Sequence, residues 1–369
     1  MLLKSSIIPL SLTALVIASV PVTARPTRPL FIVQIDRLEL NNLLVAGKQY
    51  VAEQNYDKAL ETYEKAAALD RGNAQIFSGI GYVQTLKENY PAAVKAYQKA
   101  VELEPENSKL YYALGFCLGS ADRNLEAAQA YQKAVELEPE NLQNYLGLGV
   151  VLVRAREYDR ALETYQDILT LDPDNESAYQ VISSILIQQQ RYPEAIALLK
   201  TAVERQPYAE DLQLQLATAQ LNQGKIAAGL ETLESAKQIA PQNHQVYLQI
   251  GNILLQQGEL DRALSEYKWV KRLEPNSVPA IEGAGKIYLT QKKYSRAIVN
   301  FRRLTEIAPD NPVGYHNLGI ALQGRKRISE AIAAFNRALE LYRSNGETQK
   351  ANKVGVLIEE INNSNTVTN

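Results

Sequence analysis

The chain has 369 residues, enough for two or three globular domains at roughly 150 residues each. Its 39 Lys and Arg against 41 Asp and Glu leave no global basic field to gather nucleic acid, and 46% hydrophobic residues exclude intrinsic disorder. One Cys excludes an internal disulfide framework and a cysteine zinc site; two His, the widely separated His244 and His316, leave little for a metal centre or a His-dependent triad.

The segment 1–24 is expected to be a secretory signal peptide. Lys4 supplies a short positive start, and an apolar stretch from Ile7 to Val20 follows. Val22-Thr23-Ala24 then fits the small-residue cleavage rule, with Ala24 the last residue removed. The apolar run is shorter than the ~20 residues of a membrane span and carries several hydroxyls. The mature protein is therefore expected to be exported, whether periplasmic, lumenal or secreted. Anchoring by an uncleaved N-terminal segment is the alternative, and membrane association otherwise needs a partner.

Residues 25–39 form a lead-in containing proline, with Asp36 the expected cap of a first helix. A strict period follows. Pro105, Pro139, Pro173, Pro207, Pro241, Pro275 and Pro309 recur at one unbroken spacing. Placing each at position 32 defines nine units: 40–73, 74–107, 108–141, 142–175, 176–209, 210–243, 244–277, 278–311 and 312–345. Position 20 is Ala in every unit except for Gly229, and position 24 is Tyr or Phe except for Leu199 and Leu233. Position 8 is Gly47, Gly81, Gly115, Gly149, Gly251, Gly285 and Gly319 in seven units. Positions 4, 7, 8 and 11 share one helical face, as do 20, 24 and 27 on a second helix. Proline at 32 stops that second helix, and Asn or Ser at 34, in eight of the nine units, is a strong N-cap for the next.

On these residues the chain resembles the tetratricopeptide repeat family, whose unit is a helix–turn–helix of about 34 residues. The resemblance implies an all-α, right-handed superhelical solenoid of about nine tandem repeats over 40–345. Val354, Leu357, Ile358 and Ile361 give a stripe for a capping helix over 346–361, and 362–369 is expected to be a disordered polar tail.

Several apparent motifs dissolve in this register. Gly79-Ile80-Gly81, Gly147-Leu148-Gly149 and Gly283-Ala284-Gly285 look like dinucleotide-loop fragments, but they recur at positions 6 and 8 and lack the third glycine. Cys117 falls inside a first helix and suits a small buried side chain. No catalytic, cofactor or metal constellation emerges, and the segment 346–369 after the ninth unit is too short for a catalytic domain. A non-enzymatic protein is expected.

Of the 21 Tyr, 17 occupy structural positions 4, 11, 17 or 24; Tyr82, Tyr112, Tyr208 and Tyr342 do not. In the family, positions 2, 5, 9, 12 and 13 of the first helix line a concave groove. Tyr82 and Phe116 stand at position 9 and Tyr112 at position 5, with Leu146 and Val150 equivalent in the fourth unit. These are candidate anchors for a peptide segment, because aromatics give much contact area at little entropic cost. Further along the groove turns polar with Gln180, Ser184, Gln188, Thr218, Asn222, Gln245, Asn252 and Gln256, amides and hydroxyls suited to an extended backbone or to a glycan. The carboxylate clamp of many family members is absent, since Lys48 is the only cation among Leu44, Val45, Lys48, Ser78, Gly79, Tyr82, Tyr112, Ala113 and Phe116. The expected function is an exported scaffold that holds a partner polypeptide in its groove during assembly of an envelope, secretion or membrane complex. Carbohydrate binding through the Gln/Asn stretch is the alternative. The sixth unit, with Gln213, Gly229 and Leu233 and with Ala209 at its cap, is expected to be the point where the array opens first.

Overall fold

The computed structural model describes residues 30–366, and every element among them is an α-helix. The signal-peptide segment 1–24 lies outside the described residues. The chain divides into two compact units, Met1–Glu126 and Ala127–Asn369.

In the first unit, α1 (Leu30–Ala52) and α2 (Tyr56–Leu69) pair, as do α3 (Ala74–Leu86) and α4 (Tyr90–Leu103); α5 (Ser108–Ser120) follows, and α6 (Asn124–Leu137) carries the division. The second unit continues with α7 (Leu142–Arg154), α8 (Tyr158–Leu171), α9 (Glu176–Gln188), α10 (Tyr192–Arg205), α11 (Glu210–Asn222) and α12 (Ile226–Ile239). It ends with α13 (His244–Gln256), α14 (Leu260–Leu273), α15 (Val278–Thr290), α16 (Tyr294–Ile307), α17 (Pro312–Gly324), α18 (Ile328–Ser344) and α19 (Thr348–Thr366). Within each unit every helix packs on the next, so each apolar face is covered by a neighbour in sequence.

The core explains the repeating pattern. Ala59, Ala93, Ala161, Ala195, Ala263, Ala297 and Ala331 are all fully buried where paired helices touch. Opposite them the ring at position 24 lies on glycine. An ideal Cβ at Gly81 would sit 2.8 Å from the Tyr97 ring, at Gly149 2.8 Å from Tyr165, and at Gly285 2.7 Å from Phe301. Position 8 is glycine in all seven units with an aromatic at 24, and Ser183 or Ala217 in the two with leucine. The glycines at position 6 do the same from the next unit: Gly283 abuts the Tyr267 ring already seated on Gly251. The Gly-x-Gly pairs are therefore seats for two successive rings.

The turn between paired helices is equally regular. Position 15 has positive φ in every unit: Gln54, Glu88, Asp122, Arg156, Gln190, Gly224, Gly258, Lys292 and Lys326. The following amide bonds back to the carbonyl five positions earlier at 2.8–3.0 Å, as from Asn55 to Tyr50 and from Arg327 to Leu322. This closure satisfies the last carbonyls of the first helix. Only two of the nine are glycine, so most turns carry the left-handed residue at a cost of about 1–2 kcal/mol.

The ends differ from the sequence expectations. α1 begins at Leu30 and runs through position 36, so Asp36 stands inside the helix and not at its cap. Asn345 is the C-cap of α18, followed by Gly346 at φ +73°, and not the N-cap of α19. α19 runs on past Ile361 to Thr366, so 362–366 are helical instead of a disordered tail. Its stripe covers the second core with Ala351, Val354 and Ile361 buried. Elsewhere Asn73, Asn141, Asn175, Asn243 and Asn311 accept first-turn amides as expected, whereas Asn107 turns its side chain to Glu104.

Repeat 6 is repacked and not merely weakened. Gln213 donates to the Pro207 carbonyl as Tyr179 does to Pro173 and Tyr247 to Pro241. Buried Gln220 accepts from Thr232 at 2.8 Å. Gly229 leaves room for Leu221, whose Cγ and Cδ2 lie 2.7 Å from where a Cβ would stand. Only Ala209 remains as expected, a cap without a side-chain bond.

Candidate binding groove

In the first unit, α3 and α5 are neighbours joined by a 3.1 Å contact between Thr85 Oγ1 and Cys117 Sγ. Tyr82 lies one turn before Thr85 and Phe116 beside Cys117, so both rings stand on adjacent helices. They are exposed, at 51% and 46%, while the structural rings Tyr63 and Tyr97 are buried. Burial pushes the Tyr97 hydroxyl far above the usual phenol range. Tyr112 is half-buried. Of the other off-pattern tyrosines, Tyr208 is freely exposed, and Tyr342 is buried beneath α19 with Lys350 over its ring.

In the second unit, Leu146 is half-buried and Val150 exposed on α7. Gln180 is half-buried and donates to Glu176 at 2.8 Å; Ser184 and Gln188 are exposed on the same helix. Gln215 of α11 reaches both Ser183 and Ser184, lacing α9 to α11. Thr218, Asn222, Asn252 and Gln256 come together around a depression of about 340 Å³, with Leu221, Ile226 and Ile253 as its apolar part. Gln249 also lines it, and its buried carboxamide oxygen has no hydrogen-bond partner among the described residues. Asn252 accepts from the core Tyr267 hydroxyl at 2.7 Å, which fixes its orientation. Gln245 is exposed one helix turn away and does not line the depression.

A family model described as the cilia and flagella-associated protein 70 C-terminal domain matches residues 71–284, more than half of the chain. The chain belongs to that family. Single-repeat models for the tetratricopeptide repeat match 47–87, 279–311 and 312–345 on either side. The family's description carries no location or partner for this tetratricopeptide-repeat chain. No curated protein matches it. Among solved structures it is similar to MamA from Desulfovibrio magneticus, at 19% identity over 46% of this chain and 96% of that one, TM-score 0.41. A tetratricopeptide repeat protein from Parabacteroides merdae shares 19% identity over 68% and 98%, TM-score 0.44. Yeast Tom70 shares 15% over 90% and 97%, TM-score 0.43. These likenesses are of fold only.

The sequence reading missed Gln215 and Gln249 because both stand at position 6, outside the groove positions 2, 5, 9, 12 and 13. A signal was present: position 6 is glutamine after Leu199 and after Leu233, where there is no ring to seat, against Gly79, Ala113, Gly147 and Gly283 after four of the rings. Among the described residues no group of His, Cys, Asp and Glu is placed to hold a metal ion, and no helix is long and apolar enough to cross a membrane.

Proposed function

We propose that this tetratricopeptide-repeat protein is a non-enzymatic scaffold that holds an extended segment of a partner polypeptide along the inner faces of its first helices. The observation that carries the reading is the exposure of Tyr82 and Phe116 on neighbouring helices, where the position-24 rings Tyr63 and Tyr97 are buried and the position-4 rings Phe77 and Tyr111 are half-buried. Exposed rings on a rigid surface are favoured anchors, since little freedom is lost when they are covered. The depression over α11 and α13 supports the same class of ligand. It offers neutral amides and hydroxyls, and the unpartnered Gln249 oxygen suits a backbone N–H. The glycan alternative draws less support there, because no ring lines the depression against which a sugar face could stack.

The test is photocrosslinking from position 116 in native extract, followed by binding of the captured partner in purified form. Tyr82→Ala and Phe116→Ala should each weaken binding by about five-fold or more, the loss of about 1 kcal/mol expected of an anchor. Melting temperature should stay put. Unchanged affinity together with lowered melting temperature would reassign both rings to packing. The export of this scaffold to an envelope or secretion assembly rests on residues 1–24; N-terminal sequencing of native protein should begin at Arg25, and recovery of Lys4 would refute cleavage.

A further inference from the structure

Charge is unevenly spread along the repeats. Residues 278–345 hold eleven Lys and Arg against five Asp and Glu, in a chain that is slightly acidic as a whole. Part of this excess lines a cavity of about 470 Å³ formed by Lys292, Lys293, Tyr294, Ser295, Arg296 and Arg325. It sits on the turns that join α15 to α16 and α17 to α18, and none of its lining residues is among the groove residues discussed above. Gly324 brings the two turns together: a Cβ there would overlap the Tyr294 ring, so the ring lies on bare backbone beside Arg325.

The cavity contains four cations and no carboxylate. Its neighbours are paired: Arg302 and Arg327 share Glu330, Arg303 meets Glu306, and Lys286 meets Glu282. The four cavity cations form no ion pair among the described residues. Lys293 donates to the Gln291 side chain at 2.8 Å, and Arg296 lies 5.8 Å from the Tyr288 ring centre.

The departure is local and runs against the chain's own habit. Positions 16 and 19, which open the second helix, are bonded opposite charges in Arg123–Glu126, Arg191–Glu194, Glu259–Arg262 and Arg327–Glu330. In the eighth repeat they are both positive: Lys293 is the N-cap of α16 and Arg296 stands in its first turn. Like charges three apart repel, and the positive end of a helix dipole disfavours cations. The Tyr288 ring under Arg296 and the Gln291 oxygen at Lys293 offset part of this repulsion but neutralise neither charge, whereas a bound anion does.

We propose that this cavity binds a phosphate group. Four cationic residues and the Ser295 hydroxyl around one cavity match the several acceptor oxygens and the multiple charge of a phosphate. The volume exceeds one phosphate and leaves space for the rest of a solute or headgroup. The chemistry is shared by a soluble phosphate ester and by a phospholipid headgroup, and the two are separated by assay.

The full chain is titrated with inorganic pyrophosphate in a calorimeter and, in parallel, sedimented with phosphatidylcholine vesicles with and without phosphatidylglycerol. Wild type should bind in at least one arm. Saturable pyrophosphate binding assigns a soluble ligand; retention only on phosphatidylglycerol vesicles assigns a headgroup. Lys293→Ala with Arg325→Ala should weaken that binding about ten-fold or more. Arg303→Ala with Arg337→Ala removes the same charge outside the cavity and should leave it within about two-fold. Arg296→Glu restores the acid found at this position in three other repeats; it should abolish binding while the helix melts no earlier. Absence of binding in both arms overturns the proposal, as does equal loss in both double variants, which would mark a diffuse charge effect.

Discussion

Gly285→Ala puts the pairing of glycine at position 8 with a ring at position 24 to a direct test. The new Cβ would lie 2.7, 2.8 and 3.0 Å from Phe301 Cζ, Cε1 and Cε2. Carbon atoms rest about 3.5–4.0 Å apart, so the ring must retreat by about 1 Å. Phe301 is fully buried and has no free side to move into. Overpacking of this kind costs about 1–3 kcal/mol. Alanine returns about 1 kcal/mol of helix propensity, which leaves a net loss of up to about 2 kcal/mol. Phe301→Leu alone leaves a void and costs on the order of 1–2 kcal/mol. Together the two changes recreate Ala217 opposite Leu233, a pair the chain already buries completely. The double variant should therefore recover stability, with a coupling of about 2 kcal/mol against the ~0.5 kcal/mol of independent sites. Urea unfolding followed by circular dichroism measures the cycle; amide exchange in α15 and α16 is read alongside, because repeat arrays need not unfold in one step. Additive effects, or a stabilising Gly285→Ala in the wild-type background, would refute the reasoning.

Two further outcomes are expected. Gly229→Ala, which helix propensity alone would favour, should destabilise α11 and α12 because the methyl overlaps Leu221; faster amide exchange over 210–243 confirms it, and slower exchange contradicts it. His316 packs edge-on to Phe335 and Tyr342, and burial holds its pKa below the ordinary 6.5. The unfolded chain then takes up a proton that the folded one resists, so stability is intact above about pH 6.5 and falls as pH drops through it; His316→Phe should flatten that limb of a urea midpoint profile.

How far the sequence reveals this molecule depends on which contacts are periodic. Pro105 through Pro309 and the buried alanines recur at one spacing, so helix order and the buried faces follow from counting. The positive-φ residue at position 15 does not show, because Glu88, Arg156 and Lys292 share no chemistry; the turn is imposed by its two helices and tolerates almost any side chain. Gly229 misleads for the opposite reason. Read alone it is a weak helix residue, and only the close approach of Leu221 shows that the glycine is a space-maker. Tyr82 and Phe116 stand out as surplus rings and are exposed, but Gln249 hides at a position that holds glycine in three other repeats. The basic cavity is the least legible feature. Arg325 belongs to the turn of the following repeat, and it meets Lys292 and Lys293 only because Gly324 admits the Tyr294 ring.

The contact between Thr85 and Cys117 turns the only sulfur nucleophile of the chain into a clock. Thiols react as thiolates, and burial pushes the Cys117 thiol up while only 1% of the residue is exposed. Alkylating reagents can reach it only when α3 and α5 part, so the labelling rate in native buffer counts those partings. A ligand lying across Tyr82 and Phe116 would hold the two helices together and slow the count, which lets one unmodified cysteine report on both breathing and occupancy of this stretch without an added probe.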